Sequence, residues 1–187
     1  MRARSLDKPC LPSFSPPMIR YGLSLALVAG CAAPRRTFQP PHDPATLDDT
    51  AFVHYLATVP VASVDEGLRA VLMLTGPTSQ WPTFEERRAE LLRLGALRPE
   101  WELEANQILD KGTLAYMLRV LCRLPHGLSE VLAKATHLGS RRYALKTCID
   151  EGMLPYATAE EPVTGAELLG ALTKAEARSG SSAADES

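Results

Sequence analysis

The side chains with the widest chemical scope in this sequence are its four histidines, His42, His54, His126 and His137. None stands four residues from another or beside a Cys-x-x-Cys pair, so no zinc-type ligand set is formed. Carboxylates occur as adjacent pairs, Asp48-Asp49, Glu85-Glu86, Asp150-Glu151 and Glu160-Glu161. General acid–base chemistry needs carboxyl groups converging on one substrate, whereas these pairs fall at helix ends and in loops, where capping and helix-dipole roles occupy them. No Gly-x-Ser-x-Gly elbow, phosphate-cradling glycine loop or His-Glu-x-x-His motif occurs. The residues therefore predict no catalytic set, no metal site and no cofactor. Trp81 and Trp101 remain as candidates for partner contact. An indole in a proline-flanked loop either stacks on a sugar or anchors a protein, or else plugs a gap between short helices.

Of the four cysteines, Cys31 has the most informative surroundings. Arg20 precedes a weakly apolar run from Tyr21 to Ala29, too short for a permanent span but matched to the core of a signal peptide. The run closes in Val28-Ala29-Gly30-Cys31, a branched aliphatic, two small residues and a cysteine. This order of charge, apolar core and four-residue box resembles bacterial lipoprotein precursors. The resemblance implies cleavage before Cys31, diacylglycerol on its thiol and anchorage in the membrane, with residues 1–30 removed. Starting from Met18 gives a leader of more usual length, and Ala32 after the cysteine implies sorting to the outer membrane, facing the periplasm. Residues 31–48 are rich in proline and lack either regular hydrophobic period, so they are expected to form a flexible tether.

A length of 187 residues favours a single domain, and 45% hydrophobic residues with 22% charged ones suffice for a globular core. Loss of residues 1–30 removes four basic residues and one acidic residue and takes the net charge from -2 to -5. An acidic chain with scattered lysine and arginine lacks the positive patch on which nucleic-acid binding depends.

From Asp49 onward the periodicity is helical throughout. Val64, Leu68, Val71 and Leu72 make one apolar stripe, and Leu114, Leu118, Leu121 and Cys122 another. Ser63 with Glu66, Thr83 with Glu86 and Thr164 with Glu167 have capping-box spacing, Asp110 can cap the helix after it, and glycines at 76, 95, 139 and 152 mark stops. Helices are predicted near 50–58, 64–75, 84–94, 111–124, 129–136, 141–151 and 165–177, with a disordered tail at 179–187. The pattern repeats. Leu91 to Leu97 aligns with Cys148 to Leu154 through Gly95 and Gly152, and Leu109 to Ala115 then aligns with Val163 to Leu169 after a loop shorter by three. With a fainter upstream copy, the 49–178 body reads as an all-α domain of about three helix-loop-helix units, at 50–76, 83–124 and 140–177. Cys122 and Cys148 lie on apolar helix faces. In an exported protein they form either a disulfide or two buried free thiols.

A helix ending at glycine, a loop, an aliphatic residue, a Thr-x-x-Glu cap and a leucine-rich helix is similar to the S-layer homology repeat, with Val163-Thr164-Gly165-Ala166-Glu167-Leu168-Leu169 as the closest stretch. Members that hold wall polysaccharide place an arginine after the cap, where this chain has Lys111, Gly165 and Val64. Lys111 alone keeps a cation there, so recognition of wall polysaccharide in that manner is not expected. The resulting expectation is a non-catalytic, lipid-anchored envelope protein. Its helical domain binds a protein or wall component, with Trp81, Trp101 and Lys111 as candidate contacts. An envelope hydrolase with an unrecognised site and a regulator of an envelope enzyme are the alternatives. Replacing Cys31 with serine should abolish incorporation of a fatty-acid analogue and leave unprocessed precursor. Persistent label in that variant would refute the anchor.

Overall fold

The computed structural model describes Thr37, residues 46–124 and residues 140–184, with side chains up to Arg178. Cys31, the expected leader, His42, His126, His137 and the helix expected at 129–136 lie outside the described residues. Among the described residues six helices follow in order: α1 (Asp49–Leu56), α2 (Val64–Leu72), α3 (Phe84–Arg93), α4 (Lys111–Leu121), α5 (Ser140–Asp150) and α6 (Gly165–Ala184), with a 3-10 turn at Thr78–Gln80. Among the described residues there is no strand, only isolated bridges at Thr37–Gln107, Ser63–Ile108 and Asp110–Pro162. The fold is all-α, built of short helices. No described helix is long and apolar enough to cross a membrane.

The helix starts follow from the caps. Ser63 accepts from the Glu66 amide while the Glu66 carboxylate accepts from the Ser63 amide, and Thr83 with Glu86 and Thr164 with Glu167 repeat this exchange. Asp48 and Asp110 cap α1 and α4 with single side-chain bonds to the amides of Ala51 and Thr113. The stops are equally local. Gly95 and Gly152 have φ of 71° and 70°, and each follows a helix whose last carbonyls are taken up in the same way. The amides of Gly95, Ala96 and Leu97 donate to Leu92, Leu91 and Leu91, and those of Gly152, Met153 and Leu154 to Ile149, Cys148 and Cys148. The aligned seven-residue stretches thus end their helices with identical hydrogen bonds. Helix α4 closes with the same motif, but its left-handed position is Arg123, at φ 50°.

What joins the units is a ring of backbone bonds. The residue before each second-helix cap is Ala62, Leu109 or Val163, and all three are buried. Ala62 donates to Val163 at 2.8 Å, Val163 to Leu109 at 3.0 Å, and Leu109 back to Ala62 at 2.9 Å. Two positions on, the first amide of each second helix reaches into the neighbouring unit: Val64 to Gln107 at 2.7 Å, Lys111 to Glu161 at 2.9 Å and Gly165 to Val59 at 3.0 Å. Helix-terminal amides that would otherwise be orphaned are satisfied between units. The helices circulate in the same sense, with α2 packed on α3, α4 on α5 and α6 on α1. Phe52, Leu56, Leu68, Leu91, Leu114, Met117, Leu118 and Leu168 fill the shared core.

Two sequence boundaries shift. Helix α6 continues to Ala184, beyond its predicted end at 177. Once a helix is nucleated, each added residue gains a backbone bond, which offsets the weak helix propensity of Ser179, Gly180, Ser181 and Ser182. The domain also begins before 49, since Leu47 packs on the core and its carbonyl accepts from Arg69 at 2.6 Å.

Gly165 is where α6 meets the end of α1. A Cβ there would stand 1.9 Å from the Leu56 carbonyl oxygen, whereas one on Gly170 of the same helix meets nothing within 4 Å. Gly165→Ala should therefore destabilise the domain by about 3 kcal/mol or more. Gly170→Ala should stabilise it by up to about 1 kcal/mol. Urea midpoints of the two variants against the parent check both signs.

Candidate functional site

Lys111, expected as a flexible contact, is instead a buried member of the junction between the second and third units. Its Nζ lies 2.9 Å from Glu167 and 3.4 Å from Glu161, with its side chain 8% exposed. Burial opposes its charge, but the two carboxylates outweigh burial and hold the ammonium above its ordinary pKa. Trp101 borders the same junction. Its ring meets Tyr116 edge-on at 5.0 Å between centroids, and the Arg141 guanidinium lies 5.4 Å from its centroid. Arg141 in turn pairs with Asp110 at 3.0 Å. Trp81 belongs to the junction of the first and second units, where its carbonyl accepts from Arg87 at 2.9 Å. The structure therefore places these three residues in two separate junctions. Both indoles are half-buried and packed on the core, as gap-filling side chains are.

The remaining charged groups are similarly committed. Arg87, 4% exposed, grips Asp65 through Nε and Nη2 and also donates to the carbonyls of Trp81 and Pro82. Arg69 pairs with Asp49 at 3.0 Å, donates to Thr78 and Leu47, and lies 4.2 Å from the Phe52 ring centroid. These two arginines line a cavity of about 340 Å³ with Asp48, Asp49 and Thr78, yet their planar forks already serve the fold. Tyr55 donates to the buried Glu66 at 2.5 Å, and burial together with that carboxylate raises its phenol well above the usual range. His54 is exposed at the end of α1. Among the described residues no three His, Cys, Asp or Glu side chains are grouped to hold a metal ion.

Cys122 and Cys148 carry free thiols in the structure. Cys122 is half-buried at the end of α4, and Cys148 is buried on α5. The Cys148 thiol donates to the Ala115 carbonyl at 3.4 Å, and burial pushes its pKa up to about 12. A thiol so placed is a core group and a poor nucleophile.

A second ligand-sized recess lies on the third unit. Here α5 and the loop after Gly152 bound a groove of about 520 Å³, with Leu145, Ile149, Ala157 and Ala159 beneath and Tyr156 at the lip. Tyr156 is 92% exposed, the most solvent-facing large apolar side chain described. Ion pairs flank the groove, Arg142–Glu160 at 3.1 Å and Lys146–Asp150 at 2.8 Å. Sequence reasoning passed over these residues, although a signal existed: the loop of this unit is three residues shorter than that of the second. Apolar walls with paired charges at the edge suit an apolar anchor side chain.

The junction carboxylates set an acid limit on stability. At Asp49, burial raises the pKa, but bonds from Thr78 and Arg69 outweigh it and hold the carboxyl below its ordinary value. At Glu167, burial is likewise outweighed by Thr164 and Lys111. Such groups bind fewer protons folded than unfolded, so their stabilisation is present above about pH 4 and fades as the pH falls through the lower folded values. Lys111→Met should lessen the acid sensitivity that comes from Glu167, and it should lower stability at neutral pH by leaving two carboxylates unpaired. Thermal melts between about pH 3 and 7 check both effects. No protein-family model matches this chain, and neither a curated protein nor a solved structure is significantly similar to it.

Proposed function

We propose that this chain is a non-catalytic, lipid-anchored protein of the bacterial cell envelope, held to the membrane through Cys31, whose three-unit helical domain binds a protein partner. The observation that carries the choice of partner is the groove on α5. Its surface is mostly apolar, and an exposed tyrosine stands beside it. Aliphatic floors reward burial of an apolar side chain. The residues after the caps point the same way. Lys111 is engaged with Glu161 and Glu167, Val64 is buried, and Gly165 has no room for a side chain. None of the three is available to a wall polymer.

The resemblance of the leader to lipoprotein signals, with Ala32 after the cysteine, supports a location at the outer membrane on its periplasmic face. A photo-crosslinking amino acid in place of Tyr156 should give a discrete protein adduct in intact envelopes. Ile149→Asp, which puts a charge into the groove floor, should reduce that adduct at least about tenfold, the equivalent of 1.4 kcal/mol. A glycan adduct, or an adduct indifferent to Ile149→Asp, would remove the protein-binding reading.

A further inference from the structure

The tether contains a contact that its composition does not announce. Thr37 forms an antiparallel bridge with Gln107, in the loop leading to α4. Gln107 is buried, and its carbonyl accepts from the Val64 amide at 2.7 Å, one of the bonds that join the first two units. A segment paired there is attached to the backbone framework of the domain. Thr37 follows Cys31 by six positions, so covalent geometry allows no more than about 20 Å between them, against about 60 Å for an extended segment from Cys31 to Asp48.

Granted the lipid anchor on Cys31 proposed above, we infer that the Thr37–Gln107 pairing holds the loop before α4 close to the bilayer surface and makes that loop the membrane-apposed face of the domain. The partner class narrows accordingly. A domain on a long free leash can sample the depth of the periplasm. One pinned at Thr37 meets proteins resident in, or adsorbed to, the membrane that carries its own anchor. Glu100, Glu102 and Glu104 are exposed in this loop. Their charge keeps the loop from embedding in an anionic surface, so the attachment depends on the acyl chains and the pairing.

The test uses the full chain, processed and acylated by the cell and reconstituted into phosphatidylcholine vesicles that carry a fluorescent acceptor on a minority of headgroups. A donor dye is placed at Glu104→Cys in a Cys122→Ser background. Two insertions of about ten Gly/Ser residues are compared, each adding roughly 17 Å of root-mean-square reach. One follows Ala33, before the pairing, and the other follows Pro41, after it. Both should keep the parent's helical circular dichroism. The first should weaken energy transfer at least about twofold, and the second should leave it unchanged, because the constraint sits at Thr37. Equal weakening by both insertions, or by neither, overturns the proposal. A protein that takes up no fatty acid and fails to float with the vesicles overturns the anchor itself, an outcome distinct from the other two.

Discussion

Three backbone hydrogen bonds among Ala62, Val163 and Leu109 set the register in which the three units of this domain meet. Each links residues 47 to 101 positions apart in the chain, and each sits immediately before the cap of a second helix. Their net worth is modest, about 1 kcal/mol apiece, but leaving any of these buried groups unpaired would cost more than forming the bond gains. The ring therefore fixes where α2, α4 and α6 begin. That in turn dictates which first helix each of them meets, and the cycle closes with α6 on α1.

The ring also explains the small residues around it. Gly165 admits no side chain because the Leu56 carbonyl oxygen approaches the place of its Cβ, and a Cβ on Gly112 would stand 2.9 Å from that of Ala159. The first and second units are locked by Arg87 on Asp65, and the second and third by Lys111 and Arg141. Burying such charges in pairs is a weak source of stability, but removing one partner leaves the other stranded, so the pairs specify which faces meet. Lys111, the cation that the sequence offered for partner contact, is thereby committed to holding the units in place.

The groove on α5 arises from a length difference within the repeat. In the second unit the longer loop carries Trp101 against Tyr116 and buries Leu103. In the third unit the shorter loop leaves a recess over Leu145 and Ile149 with Tyr156 in solvent. One architecture thus yields a filled surface and an open one. The open one is the surface on which the proposed function rests.

Helix positions in this protein are largely legible in the linear chain, because a start or a stop is decided within one or two turns. The Ser63–Glu66, Thr83–Glu86 and Thr164–Glu167 exchanges and the left-handed Gly95 and Gly152 need no distant partner. The internal repeat was readable for the same reason, since matching local signals recur at matching offsets. The proposed leader and the proposed lipidation of Cys31 likewise rest on local order in the sequence alone. Tertiary structure decided how the units close on one another, the burial of Lys111, the separation of Trp81 from Trp101, the pairing of Thr37 with Gln107, and the groove beside Tyr156. Each of these depends on residues tens of positions apart. Their meeting is set by ring closure and loop length, and neither leaves a periodic trace in the sequence.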